Sequence, residues 1–169
     1  MAVCSFEGAK RLTALDKGFW NVVSIHGPRE SKADLPQAKA VHYACFDDVE
    51  DGQHAAGHSA TMEDVAGIFA FIGVLSARAP TAPLLIHCQQ GISRSAAVAL
   101  SWIYGQLPPG ADRTVKAIDL TLELRPQAKP NRLVLGLGLA HFMEMGKARV
   151  LAEWIVNEPR LRRNWFPIY

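Results

Sequence analysis

Cys88 and Arg94 stand at the two ends of the segment CQQGISR, which is the part of the chain best suited to chemistry. A cysteine thiolate is a strong nucleophile, and a guanidinium can hold two oxygens of one phosphoryl group. A short loop between the two residues would let both of them face one bound anion. Ser95 follows directly and can hydrogen bond to the sulfur. The spacing predicts attack by Cys88 on phosphorus.

The same segment predicts a phosphate-binding loop. It lies between an apolar run at 84–88 and a helical pattern at 93–106, so it joins a strand end to a helix N-terminus. Converging backbone N–H groups in such a loop bind a dianion and stabilise a thiolate. Because the loop supplies this positive field, neither a metal nor an organic cofactor is expected. The expected phosphate ligands are Gln89, Gln90, Gly91, Ile92, Ser93 and Arg94.

Residues 87–95, HCQQGISRS, resemble the signature loop HCxxGxSRS of the dual-specificity branch of the cysteine-dependent protein tyrosine phosphatases. A second segment, with Arg-Pro at 125–126 and Pro-Asn at 130–131, resembles an element that joins two later helices in that branch. The resemblance implies a phosphocysteine intermediate formed on Cys88. Ser95 is expected to assist departure of the thiolate, and His87 to turn inward and fix the loop. Asn131 is expected to cap a helix.

Phosphate-ester cleavage also needs an acid that protonates the leaving group and then activates water. The resemblance implies an aspartate on a loop before the cysteine, and three aspartates follow the apolar run at 40–46. Asp48 is the preferred acid, with Asp47 and Asp51 as alternatives, and all three could instead be solvated loop charges. The chain lacks the proline that the family has before its aspartate, which favours a compact bacterial-type member.

The pattern of apolar segments predicts one α/β domain over residues 1–169, with a mostly parallel sheet of four to five strands flanked by helices. Strands are expected at 20–26, 40–46 and 84–88, with a weaker one at 2–6. Helices are expected at 62–78, 93–106, 114–124, from Asn131 to about 149, and at 151–156. Residues 26–30 follow another strand end and can border the pocket, where Arg29 is a candidate contact for a second negative charge.

Composition excludes several classes of protein. The 169 residues carry 18 Lys and Arg against 16 Asp and Glu, so the net charge of +2 argues against a nucleic-acid partner. Three widely spaced cysteines form no disulfide framework and favour a reducing compartment such as the cytoplasm. No apolar run is long enough to span a membrane. We expect a monomer in which Cys45, at another strand end, can approach Cys88 and form a reversible disulfide.

The substrate class stays open between related alternatives. A phosphotyrosine or dual-specificity protein phosphatase is the first reading, with a phosphorylated protein or small phosphomonoester as substrate. Gln89 and Gln90 stand where lysines would favour phosphoinositides. A phosphatase of a non-protein phosphomonoester, a phosphate-binding pseudophosphatase without turnover, and sulfur or arsenate chemistry are the alternatives.

Overall fold

The computed structural model describes residues 1–50 and 58–165, in which all four strands lie in the first half of the chain and helices follow. The strands are β1 (Ala2–Cys4), β2 (Asn21–His26), β3 (Ala40–Cys45) and β4 (Leu84–His87). The helices are α1 (Phe6–Leu15), α2 (Met62–Arg78), α3 (Arg94–Gln106), α4 (Arg113–Leu124), α5 (Arg132–Leu139), α6 (Met145–Val156) and α7 (Pro159–Arg162), followed by a 3₁₀ turn at Arg163–Trp165.

The four described strands form one parallel sheet in the order β1-β4-β2-β3. This confirms the prediction of an α/β fold with a mostly parallel sheet. Both faces are covered, which explains why the strands read as continuous apolar runs. Because all four strands run the same way, the chain leaves every one of them at the same edge of the sheet. That edge is where parallel α/β sheets place ligands.

Two apolar clusters lie on opposite faces of the sheet. On one face, Ala9 of α1 packs with Val22 and Leu85 of the central strands. On the other, the larger cluster joins the strands to the remaining helices and includes Ile25, Phe46, Ile68, Leu100 and Leu135. Helix α3 lies at the centre of this second layer, and most of its residues are buried. The start of α3 is therefore fixed against the end of β4.

Helix α1 was not among the predicted elements, and the weak strand at 2–6 is shorter than expected. Ser5 ends the strand by acting as the helix N-cap, since its hydroxyl accepts a hydrogen bond from the N–H of Gly8 at 3.2 Å. The buried face of the helix carries Ala9 and Thr13. Phe6 and Leu12 pack against the cluster that contains Ala9. The helical spacing of residues 6, 9, 12 and 13 was therefore present in the sequence and was not recognised.

The prediction of one helix from Asn131 to about residue 149 is wrong. Helix α5 ends at Leu139, and a second helix, α6, begins at Met145 and includes the expected segment at 151–156. The Glu144 carboxylate caps the new helix by accepting hydrogen bonds from the N–H groups of Gly146 and Lys147, at 2.7 and 3.1 Å. None of the described helices is both long enough and apolar enough to span a bilayer.

Candidate active site

The loop between β4 and α3 brings the ends of the CQQGISR segment together. Its tight turn depends on Gly91, which has a φ of 71°. A Cβ at this position would lie 2.2 Å from both the carbonyl carbon and the oxygen of Cys4. The N–H of Phe6 also donates to the carbonyl of Gln89 at 3.1 Å. The loop is thus built directly against the junction of β1 and α1, and only glycine fits at its turn.

Cys88 lies at the bottom of the loop with 2% of its surface exposed. Its Sγ accepts a hydrogen bond from the N–H of Gly91 at 3.3 Å and lies 3.2 Å from the hydroxyl oxygen of Ser95. Ser95 is fully buried in the first turn of α3. A backbone N–H and a hydroxyl oxygen thus both lie within hydrogen-bond distance of the sulfur, at the N-terminus of α3.

Arg94 is buried beneath the same site, with 2% of its side chain exposed. One terminal nitrogen, Nη1, donates to the carbonyl of Phe46 at 2.9 Å, and the other, Nη2, donates to Glu30 Oε1 at 2.8 Å. Its Nε is buried and has no hydrogen-bond partner among the described residues. A buried guanidinium N–H without an acceptor is costly unless an anion completes it. The geometry therefore leaves the Nε–H of Arg94 available for a phosphoryl oxygen.

Glu30 is the carboxylate that neutralises Arg94. Burial acts to raise the pKa of Glu30, but the hydrogen bonds from Arg94 and from the N–H of Gly27 outweigh it and hold the pKa below its ordinary value. The Gly27 bond is short, at 2.6 Å to Oε2. Burial acts to lower the pKa of Arg94, whereas Glu30 and the charges of Cys88 and Asp48 raise it above its ordinary value. The pair is charged across the neutral pH range.

Asp48 reaches the loop from the chain that follows β3. Its Oδ1 accepts hydrogen bonds from the hydroxyl of Ser93 at 2.7 Å and from Nδ2 of Asn131 at 2.9 Å. Its Oδ2 lies 4.0 Å from Nε of Arg94. Asp47 instead accepts a hydrogen bond from the N–H of His58 at 2.9 Å. The third candidate, Asp51, lies outside the described residues.

His87 is buried on the opposite face of β4 from the sulfur, with 1% of its surface exposed. Burial, more than any neighbouring charge, lowers its pKa to about 4, so the ring is neutral at pH 7. Its Nδ1 lies 3.4 Å from the carbonyl oxygen of Cys88, and its ring meets Phe6 edge-on. The imidazole therefore contacts the backbone of Cys88, the first residue of the phosphate-binding loop.

A second loop, at 125–131, supports the outer side of the phosphate-binding loop. Arg125 donates from Nη2 to the carbonyl of Gln90 at 3.1 Å, and the N–H of Lys129 donates to the carbonyl of Ile92 at 2.7 Å. Carbonyls held outward in this way leave the N–H groups of the loop facing inward. Both glutamine side chains of the loop are exposed.

The structure does not bring Cys45 near Cys88. Strand β2 lies between β3 and β4, and two strand spacings of about 4.8 Å exceed the Cα separation of about 7 Å that a disulfide can bridge. Cys45 is also exposed, and all three cysteines are free. The cysteine on the neighbouring strand is Cys4, which pairs in register with His87. Burial, with a smaller contribution from Cys88 and against the opposing charge of Arg125, raises the pKa of the Cys4 thiol to about 12.

Two side-chain contacts at the candidate site were not predicted from the sequence. Glu30, and not its exposed neighbour Arg29, reaches Arg94. Asn131 does more than cap α5, since its amide also donates to Asp48. The position of residues 26–30 at a strand end did indicate that this segment borders the site. The sequence did not indicate that Glu30 would be the side chain that makes the contact. No cluster of three or more His, Cys, Asp or Glu side chains that could hold a metal occurs among the residues described.

Comparisons with known proteins agree with this architecture at low sequence identity. No protein-family model matches the chain, and no curated protein matches it. A solved structure of human tyrosine phosphatase-like serine/threonine/tyrosine-interacting protein matches with a TM-score of 0.62 and 20% identity, over 83% of this chain and 89% of the other. Human DUSP28 matches with a TM-score of 0.60 and 16% identity, over 90% and 93% of the two chains. The chain has the dual-specificity phosphatase fold.

The fold similarity extends to a further member of the group. PTPMT1, solved in complex with PI(5)P, matches with a TM-score of 0.52 and 15% identity, over 91% of this chain and 88% of the other. At these identities the similarity establishes the dual-specificity phosphatase fold alone. The chemistry has to be argued from the residues of this chain.

Proposed function

We propose that this chain is a cysteine-dependent phosphatase that hydrolyses phosphomonoesters through a phosphocysteine intermediate. The observation that carries the proposal is the buried Nε of Arg94, which lacks a partner among the described residues and lies in the loop that holds Cys88. A donor left open beside a nucleophile at a helix N-terminus suits an anionic, electrophilic phosphoryl group.

Substrate binding would use the loop amides and Arg94. Ser93, at the N-cap of α3, makes no side-chain capping bond, and its hydroxyl is directed to Asp48 instead. The first N–H groups of α3 are therefore left to the bound phosphate. Glu30 and the Phe46 carbonyl occupy the terminal nitrogens of Arg94, which fixes the plane of the guanidinium before substrate arrives.

In the first chemical step, the Cys88 thiolate attacks phosphorus and the bond between phosphorus and the leaving-group oxygen breaks. Asp48 in its acid form donates a proton to that oxygen, so an alcohol or phenol leaves. The developing charge on the phosphoryl oxygens is met by the loop amides and Arg94. The product of this step is a phosphocysteine and an Asp48 carboxylate.

In the second step, the Asp48 carboxylate takes a proton from water, which attacks the phosphocysteine. The bond between sulfur and phosphorus breaks, inorganic phosphate is released and the sulfur leaves as a thiolate. Ser95, 3.2 Å from the sulfur, stabilises the departing thiolate by hydrogen bonding. No metal ion or organic cofactor enters either step, because this chain's own donors supply the positive field.

The favoured substrates are phosphoproteins. The enzyme would act on phosphotyrosine alone or, as a dual-specificity phosphatase, also on phosphoserine and phosphothreonine. Support comes from the HCQQGISRS loop and from the fold that the chain shares with the dual-specificity phosphatases. A monomer in a reducing compartment such as the cytoplasm suits this chemistry, because oxidation would inactivate a thiolate nucleophile.

A non-protein phosphomonoester is the second candidate, and one observation favours it. The chain shares its fold with PTPMT1, whose structure was solved with a phosphoinositide. The exposed Gln89 and Gln90 argue against a highly charged headgroup, since neither adds positive charge to the loop. Hydrolysis of phosphotyrosine, phosphoserine and phosphoinositide panels, measured side by side, separates the two candidates.

The third candidate, a pseudophosphatase that binds phosphate without turnover, is tested together with the main proposal. We expect the wild-type chain to hydrolyse p-nitrophenyl phosphate continuously, and Cys88→Ser to abolish turnover while still binding inorganic phosphate. Full activity in Cys88→Ser would refute the mechanism. Release of one phosphate equivalent with no further turnover in the wild type would favour the pseudophosphatase.

A further inference from the structure

The chain beyond α6 is fixed to the rest of the domain by α7. Leu161 of α7 is fully buried in the larger apolar cluster. Arg160 beside it forms an ion pair with Asp119 of α4 and donates from Nε to Glu158 at 2.7 Å. The 3₁₀ turn at Arg163–Trp165 follows α7 directly, so its position on the domain is fixed as well.

Asn164 lies in that turn and bonds to the loop at 125–131. Its Nδ2 donates to the carbonyl of Ala128 at 2.8 Å and to the carbonyl of Pro126 at 3.0 Å. A primary amide nitrogen carries two N–H groups, so one side chain can bind both carbonyls. Asn164 therefore holds two points of a loop that lies 36 and 38 residues earlier in the chain.

The segment that Asn164 holds lies between two donors to the phosphate-binding loop. Nη2 of Arg125 donates to the carbonyl of Gln90 at 3.1 Å, and the N–H of Lys129 donates to the carbonyl of Ile92 at 2.7 Å. The two carbonyls bound by Asn164 belong to residues 126 and 128, inside this interval. A shift of the segment would therefore move both donors.

The carbonyls of the phosphate-binding loop determine where its N–H groups point. A trans peptide unit is planar, so the carbonyl of Gln90 and the N–H of Gly91 point in opposite directions. That N–H donates to Sγ of Cys88 at 3.3 Å. In the same way, the carbonyl of Ile92 sets the direction of the N–H of Ser93. The contacts thus run from Asn164 through the loop at 125–131 to the amides that surround the sulfur.

We propose that Asn164 is a positioning residue that holds the loop at 125–131 and through it aims the N–H groups of the phosphate-binding loop at the bound phosphate. The inference deepens the proposed function and rests on its phosphate-binding step. Asn164 touches no reacting atom. Its loss should weaken phosphate binding, and the effect should be the same for every leaving group because Asp48 is not involved.

The test removes the two N–H donors of Asn164 in two ways. Asn164→Asp keeps the shape of the side chain and replaces the donating nitrogen with an oxygen, whereas Asn164→Ala removes the group without adding charge. The probe is inorganic phosphate, with its dissociation constant measured by calorimetry. We expect this constant to rise about fivefold in both variants, because the loop amides lose part of their preorganisation. Agreement between the two variants excludes an effect of the added charge.

Turnover provides a second measurement. Phenol needs protonation by Asp48 more than p-nitrophenol does, so the two aryl phosphates separate a binding effect from a proton-transfer effect. In the Asn164 variants kcat/KM should fall by the same factor with phenyl phosphate and with p-nitrophenyl phosphate. Amide hydrogen exchange reports on the loop itself, and the N–H of Lys129 should exchange faster than in the wild type.

Asn157 provides a matched control. Its Nδ2 also makes two hydrogen bonds, at 2.9 Å each, but both go to Glu153 in the preceding turn of α6. Asn157→Ala should therefore leave the phosphate dissociation constant and the exchange of the Lys129 N–H unchanged. Thermal unfolding of each variant shows whether it is folded, and if one Asn164 variant fails to fold, the other decides the outcome.

An unchanged phosphate dissociation constant in a folded Asn164 variant would overturn the positioning role and leave the proposed function standing. A loss confined to phenyl phosphate would also overturn it, because it would indicate an effect on Asp48. A wild-type chain that binds phosphate and turns over no aryl phosphate would refute the proposed phosphatase activity alone, and the dissociation constants would still decide the role of Asn164. A wild-type chain that binds no phosphate would overturn both.

Discussion

Arg94 and Glu30 are 64 residues apart in the chain and form a partly buried ion pair, with Nη2 of the arginine 2.8 Å from Oε1 of the glutamate. Glu30 is itself fixed by the N–H of Gly27. Glu30 thus fixes the orientation of the guanidinium, whose Nε lies 4.0 Å from Oδ2 of Asp48. A phosphate-binding arginine that is oriented before substrate arrives loses little conformational freedom on binding.

Removing this support should misplace the guanidinium. We expect Glu30→Ala to lower kcat/KM for p-nitrophenyl phosphate by about 100-fold, since a displacement of about 1 Å in a catalytic group has an effect of that size. The inhibition constant of inorganic phosphate should rise as well. Glu63→Ala, which removes an exposed carboxylate in the first turn of α2, is the matched control. Equal kinetics in the two variants would show that Arg94 needs no partner.

The two described aspartates that follow β3 should differ in their kinetic effect. Asp48→Asn is expected to lower kcat for phenyl phosphate by about 10²- to 10⁴-fold, the usual contribution of a general acid. Asp47→Asn should have a much smaller effect, because Asp47 bonds to the N–H of His58 and Asp48 contacts the phosphate-binding loop. The measurement is the steady-state rate of each variant. A larger loss in Asp47→Asn would reverse the assignment.

Gly91 and Gly18 provide a matched pair for testing the loop. Both have a φ near +70°, but a Cβ at Gly91 would lie 2.2 Å from the Cys4 backbone, whereas one at Gly18 would meet no described atom within 4 Å. Gly18→Ala should therefore cost about 1 kcal/mol of unfolding free energy, and Gly91→Ala at least about 2 kcal/mol. Urea unfolding measures both values. Equal costs would mean that the loop can move away from β1.

His87 should make the protein sensitive to mild acid. Burial lowers the pKa of His87 from 6.5 to about 4. Between these two pH values the imidazole is protonated in the unfolded chain and neutral in the folded chain. This contribution to stability is complete above pH 6.5 and is lost as the pH falls towards 4. Between pH 7 and pH 5 it amounts to about 2 kcal/mol.

The variant His87→Asn isolates this contribution, because asparagine can still donate to the Cys88 carbonyl and does not titrate. Urea unfolding at pH 7 and pH 5 should show the wild type losing about 2 kcal/mol more than the variant. Other groups titrate in both proteins, and their effect cancels in the comparison. Identical losses would show that the imidazole is protonated without cost in the fold.

The parts of the site that were predictable are those that are local in sequence. Cys88, Arg94 and Ser95 fall within eight residues, and one strand end and one helix start fix their arrangement. The contact between Arg94 and Glu30 spans 64 residues and depends on the order in which β2 and β4 pair. A sequence pattern can indicate that two strands end at the same edge of a sheet. It does not indicate which side chains make contact there, because that depends on the packing of the folded chain.

The same distinction explains the errors in secondary structure. The apolar pattern of residues 131–149 is continuous, and the break before Met145 comes from a single carboxylate, Glu144, that satisfies two N–H groups of a new helix. Asn131 shows the opposite case. Its capping role followed from its position, and its bond to Asp48, 83 residues away, could be seen only in the fold.

The central claim is that Cys88 becomes phosphorylated during turnover. The most direct measurement is mass spectrometry of the chain quenched in acid during hydrolysis of an aryl phosphate. We predict an added phosphate on the peptide that contains Cys88, and no such addition in Cys88→Ser. Phosphate on another residue, or sustained turnover by Cys88→Ser, would contradict the account.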